Sequence, residues 1–318
     1  MSNRTIGIVG AGNIGGQLAM LIAERGLADV MLLDLPEREG VAKGKALDIM
    51  HATAVLGVDA HVEGTSRYQD LAGVDVLVVT AGLPRRPGQS RDDLVRINLK
   101  IIEQVAQQVR SVCPEAFCII VTNPLDAMVY AFWKATGFRP QMVVGMAGVL
   151  DSGRFRGQVA WRLGISVQDV SAMVLGGHGP TMVPLTDTCM VGGTPVTRLL
   201  PTDQIEAIVE GTRMAGDQIV RLLGNGSAFF SPAASILQMV DSFLSDRKRV
   251  LPASAYLDGQ YGCEGIYMGV PVVIGAGGVE RVIEVQLDSQ QKAAFQRSCQ
   301  AVQELIRLVD KISTGPSD

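Results

Sequence analysis

Several things are scarce in this chain. Of its 318 residues only 5% are aromatic and 19% are charged, against a charged share of about 25% in an ordinary soluble domain. Positive charge is in no excess: 28 Lys and Arg face 32 Asp and Glu, for a net charge of −4. That excludes a chain-wide basic footprint for nucleic acid. Long apolar runs are missing as well. The longest uncharged stretch, residues 222–240, is broken by Gly224, Asn225, Gly226, Ser227, Ser231, Pro232 and Gln238, whereas a membrane span needs about 20 mainly apolar residues. The opening Met1-Ser-Asn-Arg-Thr5 runs straight into a strand-like segment without the apolar core of a secretory signal. Cysteine is present five times (Cys113, Cys118, Cys189, Cys263, Cys299), an odd set with no Cys-x-x-Cys spacing. These read as free thiols packed as small apolar residues in a reducing compartment. The expectation is a cytoplasmic protein with no nucleic-acid partner, no membrane and no metal. Histidine occurs only three times, at His51, His61 and His178.

What is present is apolar surface to bury, at 47% of residues, and chain enough for about two domains. Apolar runs alternate with helical periodicity through the first half. Strands are expected over 6–9, 30–33, 74–79 and 118–121, and helices from Ile14, over 41–55 and over 92–111. Two of the strands echo each other: Leu77-Val-Val-Thr-Ala-Gly82 and Ile119-Ile-Val-Thr-Asn-Pro124 both end in Val-Thr and a turn, as if one sheet delivered both loops to one edge. Such alternation predicts a parallel sheet covered by helices, with ligands beyond the carboxyl ends of its strands. After about residue 144 the pattern changes. A helix over 153–163, strand-like segments near 170–175 and 182–190, helices over 203–223 and 232–244, strands near 249–257, 267–275 and 279–285, and a last helix from Ser289 suggest an α+β domain. The division is 1–145 and 146–318, with no flexible linker between. The 41–55 helix is unusual: nine of its fifteen residues are apolar, and at about 100° per residue they point all round the axis, so it is expected to be covered on several sides.

The turn after the first strand reads Gly10-Ala11-Gly12-Asn13-Ile14-Gly15. Between a strand and a helix this pattern binds a dinucleotide: the first glycine makes the turn, the second admits the pyrophosphate, and the third lets helix and strand pack. The helix N-terminus adds free N–H groups for the phosphates. Asp34, 19 residues past Gly15 at the end of the second strand, would accept ribose hydroxyls and repel a 2′-phosphate. Leu35 and Pro36 follow it, not arginine, which favours NAD over NADP. A second signal is Thr80-Ala-Gly-Leu-Pro-Arg85-Arg86-Pro-Gly88-Gln-Ser-Arg91. Its arginines offer planar forks for carboxylates, and its Gly and Pro residues suit a loop that closes over a substrate; a solvated basic loop is the alternative. Asp151-Ser-Gly-Arg154 and Gly176-Gly-His178-Gly179 complete the set. Taken singly, Asp151 could cap a helix, Arg154 could be its surface partner, and His178 could be a turn residue. A carboxylate beside His178 would fix its tautomer and favour the imidazolium, but spacing alone does not bring Asp151 to it.

In combination these motifs, with Val121-Thr122-Asn123-Pro124, resemble the lactate/malate dehydrogenase family over essentially the whole chain, and within it the malate-specific, lactate-dehydrogenase-like type. The resemblance implies a Rossmann-type NAD-binding domain followed by an α+β substrate and catalytic domain. It implies His178 as proton donor and acceptor, Asp151 as its orienting carboxylate, and Arg154 on the substrate's C1 carboxylate. Arg91 would polarise the reacting carbonyl, and Asn123 would hydrogen-bond there. Asn98 and the turn of Val121, Thr122 and Asn123 would touch the cofactor near its nicotinamide end. Arg85, six residues before Arg91, would answer the second carboxylate of malate or oxaloacetate, where lactate enzymes usually carry Gln. Gly226-Ser227-Ala228 would form a pocket wall. A homotetramer, or alternatively a homodimer, is implied. Lactate or another 2-hydroxy acid as substrate, and a non-catalytic NAD-binding protein on the same fold, stand as the other readings.

Overall fold

Short, buried apolar runs make the strands of the first half, and amphipathic stretches make the helices between them. The computed structural model describes residues 4–84, 91–224 and 226–314. β1 (Thr5–Val9) leads into α1 (Asn13–Glu24), and β2 (Asp29–Leu33) is followed by α2 (Glu39–Leu56) and β3 (Val62–Thr65). Next come β4 (Val76–Val79), α3 (Arg91–Val112), β5 (Phe117–Ile120), α4 (Leu125–Thr136) and β6 (Val143–Gly145). Every residue of β4 and β5 is buried, as expected of parallel strands covered on both faces. Along β5, Phe117 and Ile119 enter one apolar cluster while Cys118 and Ile120 enter the other. The two-residue period thus feeds a core on each side of the sheet. The strands run parallel in the order β3-β2-β1-β4-β5-β6. This is the Rossmann order, and its direction of winding reverses between β1 and β4, which opens a crevice at their carboxyl ends.

The second half begins with α5 (Gly148–Leu163), then β7 (Val170–Ser171), β8 (Val174–Leu175), β9 (Val183–Pro184), β10 (Met190–Val191) and β11 (Thr194–Pro195). After these come α6 (Thr202–Leu223), α7 (Phe230–Leu244), β12 (Arg249–Asp258), β13 (Glu264–Gly275), β14 (Gly278–Val282) and α8 (Ser289–Thr314). Its three long strands do not form a sheet of their own. They extend the first sheet as β14-β13-β12-β6, giving nine strands among the described residues. Ser254 of β12 pairs antiparallel with Gly145 of β6. A Cβ on Gly145 would lie 2.8 Å from the Ser254 Cβ and 2.7 Å from Val129, so glycine is what lets the two halves join.

Other departures have local reasons. The stretch near 170–175 splits because β7 pairs with β10 while β8 pairs with β9, and β9 stops at Pro184, which has no N–H for a ladder. α5 starts at Gly148, five residues before the expected onset; a Cβ there would press on Pro252 of β12 at 2.7 Å, so glycine lets the start of the helix meet that strand. Four elements had no sequence signal. β3, β6 and β11 are only four, three and two residues long, and α4 buries eight of its twelve residues, which leaves little one-sided periodicity to see. All five cysteines are unbridged and buried, with the Sγ atoms of Cys263 and Cys299 2.8 Å apart. No helix among the described residues is long and apolar enough to cross a membrane.

Candidate active site

At the carboxyl end of β1 the chain turns through Gly10, whose φ of 110° lies in the left-handed region that favours glycine. A Cβ on Gly15 would overlap the Gly10 carbonyl, so α1 packs onto the turn only with glycine there. Gly12 is different: a Cβ at that position meets nothing within 4 Å, which leaves its backbone open to a ligand. No side chain caps the start of α1 at Asn13 and Ile14, so its first N–H groups face that space. The donor set and the open cradle fit a dinucleotide pyrophosphate.

Asp34 follows β2 and reaches back to this turn, its Oδ2 accepting the Ala11 N–H at 3.1 Å. The same oxygen takes Arg38 Nε at 3.2 Å, a basic neighbour four residues along that the immediate sequence after Asp34 does not suggest. Lys45 on α2 was also unforeseen: its Nζ donates to the Ala11 and Gly12 carbonyls at 2.9 and 2.7 Å. Burial pulls its pKa down, and the Arg38 charge adds to that. Nothing at residues 38 or 45 forms a motif with residues 10–15; only folding brings them together.

The loops after β4 and β5 are tied to each other. Asn98 on α3 is fully buried. Its side-chain oxygen accepts the Leu83 N–H at 2.8 Å, and its amide nitrogen donates to the Leu83 and Asn123 carbonyls at 3.0 and 2.7 Å. The structure therefore places Asn98 as a brace between the loops. Thr122 donates to the Ala81 carbonyl at 2.6 Å; Val121 and Thr122 are buried while Asn123 is exposed. Arg85 and Arg86 lie outside the described residues. Arg91 opens α3, and its side chain is likewise outside the description.

From the second half, α5 presents Asp151 in its first turn. The residue does not cap the helix; its Oδ2 stands 2.9 Å from His178 Nδ1, leaving Nε2 as the ring's free face. Arg154, one turn on, has Nη1 3.6 Å from the other oxygen of Asp151. Burial lowers the Arg154 pKa against the pull of Asp151. Asp151 Oδ1 and Arg154 Nε are buried with no hydrogen-bond partner. An unpartnered buried donor is costly, and the side chain, still 14% exposed, offers a guanidinium of the kind that pairs with a carboxylate. Across from it, Gly216 on α6 keeps side-chain bulk away: a Cβ there would stand 3.8 Å from Arg154 Nη1.

The loop carrying His178 is pinned on three sides. Gly176 N–H donates to the Gly269 carbonyl on β13 at 2.8 Å, and Gly177 N–H to Ser298 Oγ on α8 at 2.9 Å. His178 N–H donates to Asp126 on α4 at 2.9 Å. Because α4 follows β5, this last bond sets the histidine at the carboxyl edge of the parallel sheet. Burial alone would depress the His178 pKa. The charge and hydrogen bond of Asp151, helped by Asp126 and opposed by Arg154, outweigh burial and raise it above the usual 6.5. Neither Asp126 nor Ser298 carries a motif signal, and only the long-range pairing exposes them. Gly226, Ser227 and Ala228 run directly into α7.

Comparison with known proteins agrees with this architecture. The family model of the lactate/malate dehydrogenase NAD binding domain matches residues 4–145, and that of the lactate/malate dehydrogenase alpha/beta C-terminal domain matches 148–312. A malate dehydrogenase of Geobacillus kaustophilus (strain HTA426) is 49% identical over 310 residues, 98% of this chain and 99% of that protein. Among solved structures, malate dehydrogenase of Cryptosporidium parvum superposes with a TM-score of 0.95 at 43% identity, over 98% of this chain and all of that one. Lactate dehydrogenase of the same organism, complexed with lactic acid and nicotinamide adenine dinucleotide, gives 0.94 at 41%, over 99% of this chain and all of that one. With the Rossmann sheet, the glycine turn and the carboxylate–histidine–arginine cluster meeting at its edge, the chain belongs to the lactate/malate dehydrogenase family.

Proposed function

We propose that this chain is a malate dehydrogenase, interconverting (S)-malate and oxaloacetate with NAD as cofactor. The observation that carries the reading is the pair of half-buried His178 and buried Asp151, 2.9 Å apart beside Arg154. One group is ready to move a proton and its neighbour to hold a carboxylate. The turn from Gly10 to Gly15, with Ala11, Gly12, Asn13 and Ile14 between, would hold the pyrophosphate. Asp34 would hold the adenosine ribose, and the Val121, Thr122 and Asn123 turn braced by Asn98 would hold the nicotinamide end. When bound, the nicotinamide supplies or takes the hydride at substrate C2.

The chain's own residues do the rest. Arg154 pairs with the C1 carboxylate, which orients C2 and its oxygen toward His178. Asp151 holds Nδ1, so Nε2 gives its proton to the forming alkoxide in reduction and takes it back in malate oxidation. Arg91 and Asn123 stabilise the negative charge on that oxygen. Arg85 answers the distal carboxylate and makes the site one for a dicarboxylate. Fold likeness does not choose between malate and lactate, since both kinds of neighbour superpose equally well; charge matching at Arg85 favours malate.

Exposed apolar residues on α2 support assembly into a homo-oligomer; the family resemblance favours a homotetramer, with a homodimer as the smaller alternative. The free cysteines support a cytoplasmic location. NAD reduction with (S)-malate, (R)-malate and (S)-lactate tests the proposal. Turnover confined to (S)-malate is expected; preference for lactate would overturn the substrate assignment.

A further inference from the structure

Asp126 is a carboxyl group that the chemistry above leaves without a role, yet it lies directly beneath the histidine loop. It stands in the first turn of α4 and is 4% exposed. Its Oδ2 accepts the His178 N–H at 2.9 Å and its Oδ1 accepts the Ser254 hydroxyl at 2.8 Å; Ser254, on β12, is fully buried. Each oxygen therefore has a donor, the condition under which a buried carboxylate stays ionised. Burial is the largest influence and, with the charge of Asp151, leaves its pKa raised on balance; the Ser254 and His178 hydrogen bonds and the charge of His178 oppose that rise and favour the ionised form. Gly177 belongs to the same arrangement: a Cβ there would sit 3.3 Å from Asp126 Oδ2, so a glycine beside His178 lets the backbone settle onto the carboxylate.

We propose that Asp126 is a positioning residue for the acid–base step, fixing the backbone that carries His178 and supplying a second negative charge beneath it. The inference rests on the malate dehydrogenase reading above. Among the described residues, the charged groups that act on the ring are Asp151 and Arg154 from α5 and Asp126 from α4. Arg213 of α6 donates to the Met182 carbonyl farther along the same loop, at 3.4 Å. The residues that β12, β13 and α8 bring to the loop by hydrogen bond, Ser254, Gly269 and Ser298, carry no charge. Asp151 orients the ring through Nδ1. Asp126 acts from the backbone side, so the two carboxylates restrain different parts of one residue. Oxaloacetate reduction needs the protonated ring and malate oxidation the neutral one. A second negative charge moves the changeover between them to higher pH.

The variant is Asp126→Asn, which keeps the shape. The amide oxygen can accept from His178 N–H while its NH2 donates to a rotated Ser254 hydroxyl. Expected is an acid shift of roughly 0.5–1 pH unit in the limb common to kcat/KM for oxaloacetate and for malate. Above that limb, reduction then falls roughly three- to tenfold, with NADH affinity unchanged. A limb that stays in place while turnover or thermal stability drops marks a structural prop only and overturns the proposal. Should Asp126→Asn fail to fold, Asp126→Thr also removes the charge while keeping a hydroxyl in its place, and must shift the limb the same way; an unmoved limb overturns the proposal there too. Wild-type protein without oxaloacetate turnover would contradict the enzyme assignment instead, which separates the two failures.

Discussion

At the scale of single residues, the account concentrates proton transfer in one histidine. His178→Asn leaves the glycine turn and Asp34 untouched but removes the acid and base. It should lower kcat by roughly 10²–10⁴-fold, the usual worth of such a group, with the NADH dissociation constant unchanged in a fluorescence titration. Near-normal turnover would remove His178 from the mechanism. Its pKa is raised on balance by the Asp151 pair against burial. The sign follows: the protonated ring persists to pH values above 6.5, so oxaloacetate reduction should hold up past that point and then fall, while malate oxidation rises through the same limb. Parallel pH–rate profiles in the two directions check this. Arg85 is the residue proposed to answer the substrate's far end. Closing the site over pyruvate would strand its guanidinium without a partner, at several kcal/mol. Arg85→Gln should therefore lower kcat/KM for oxaloacetate and raise it for pyruvate, and even ~3 kcal/mol of lost discrimination is a change of more than a hundredfold in their ratio. Arg86→Gln is the control; if it alone moves the ratio, the register of the loop is off by one. The residues that announced themselves in sequence were those within short motifs: Gly10 to Gly15, Asp34, Asp151, Arg154, His178. Lys45, Asp126 and Ser298 did not, because their partners lie 33, 52 and 121 residues away, and no local pattern encodes a hydrogen bond across such a gap.

At the scale of elements, α2 carries the clearest unmet demand. Its inner face buries Ala42, Ala46, Ile49 and Thr53, yet Val41, Leu47 and Val55 stand 43%, 55% and 88% exposed in the single chain. A helix apolar on opposite faces needs cover on both. The same helix sends Lys45 to the glycine turn, so a subunit contact there would bear on the cofactor site. Light scattering at micromolar concentration should give a multiple of the 33.8 kDa chain mass; a monomer would contradict the assembly. Element type was legible wherever periodicity was one-sided or a strand was wholly apolar. It failed for α4, which is buried nearly all round, and for the 170–190 region, where adjacent two-residue strands pair with different partners.

At the scale of the molecule, one sheet runs through both halves, and Gly145 against Ser254 is the seam. The cofactor turn stands at the end of β1, while the histidine is anchored to α4, β13 and α8. In the proposed reading, proton donor and cofactor turn are therefore held by one continuous sheet and the helices packed on it. The change of pattern near residue 145 is what suggests a division of the chain there. The continuity of the sheet had no sequence signal, since pairing of β6 with β12 joins residues 109 apart. Such a framework serves lactate and malate chemistry alike, so substrate choice rests on charge within the site. The direct test is NADH oxidation by the purified protein with oxaloacetate, pyruvate and 2-oxoglutarate in turn, compared as kcat/KM. The account predicts a preference for oxaloacetate over pyruvate of at least a hundredfold, from ~3 kcal/mol of charge discrimination, and a strong loss when NADPH replaces NADH. Equal efficiency with pyruvate, or no turnover with any of the three, would contradict it.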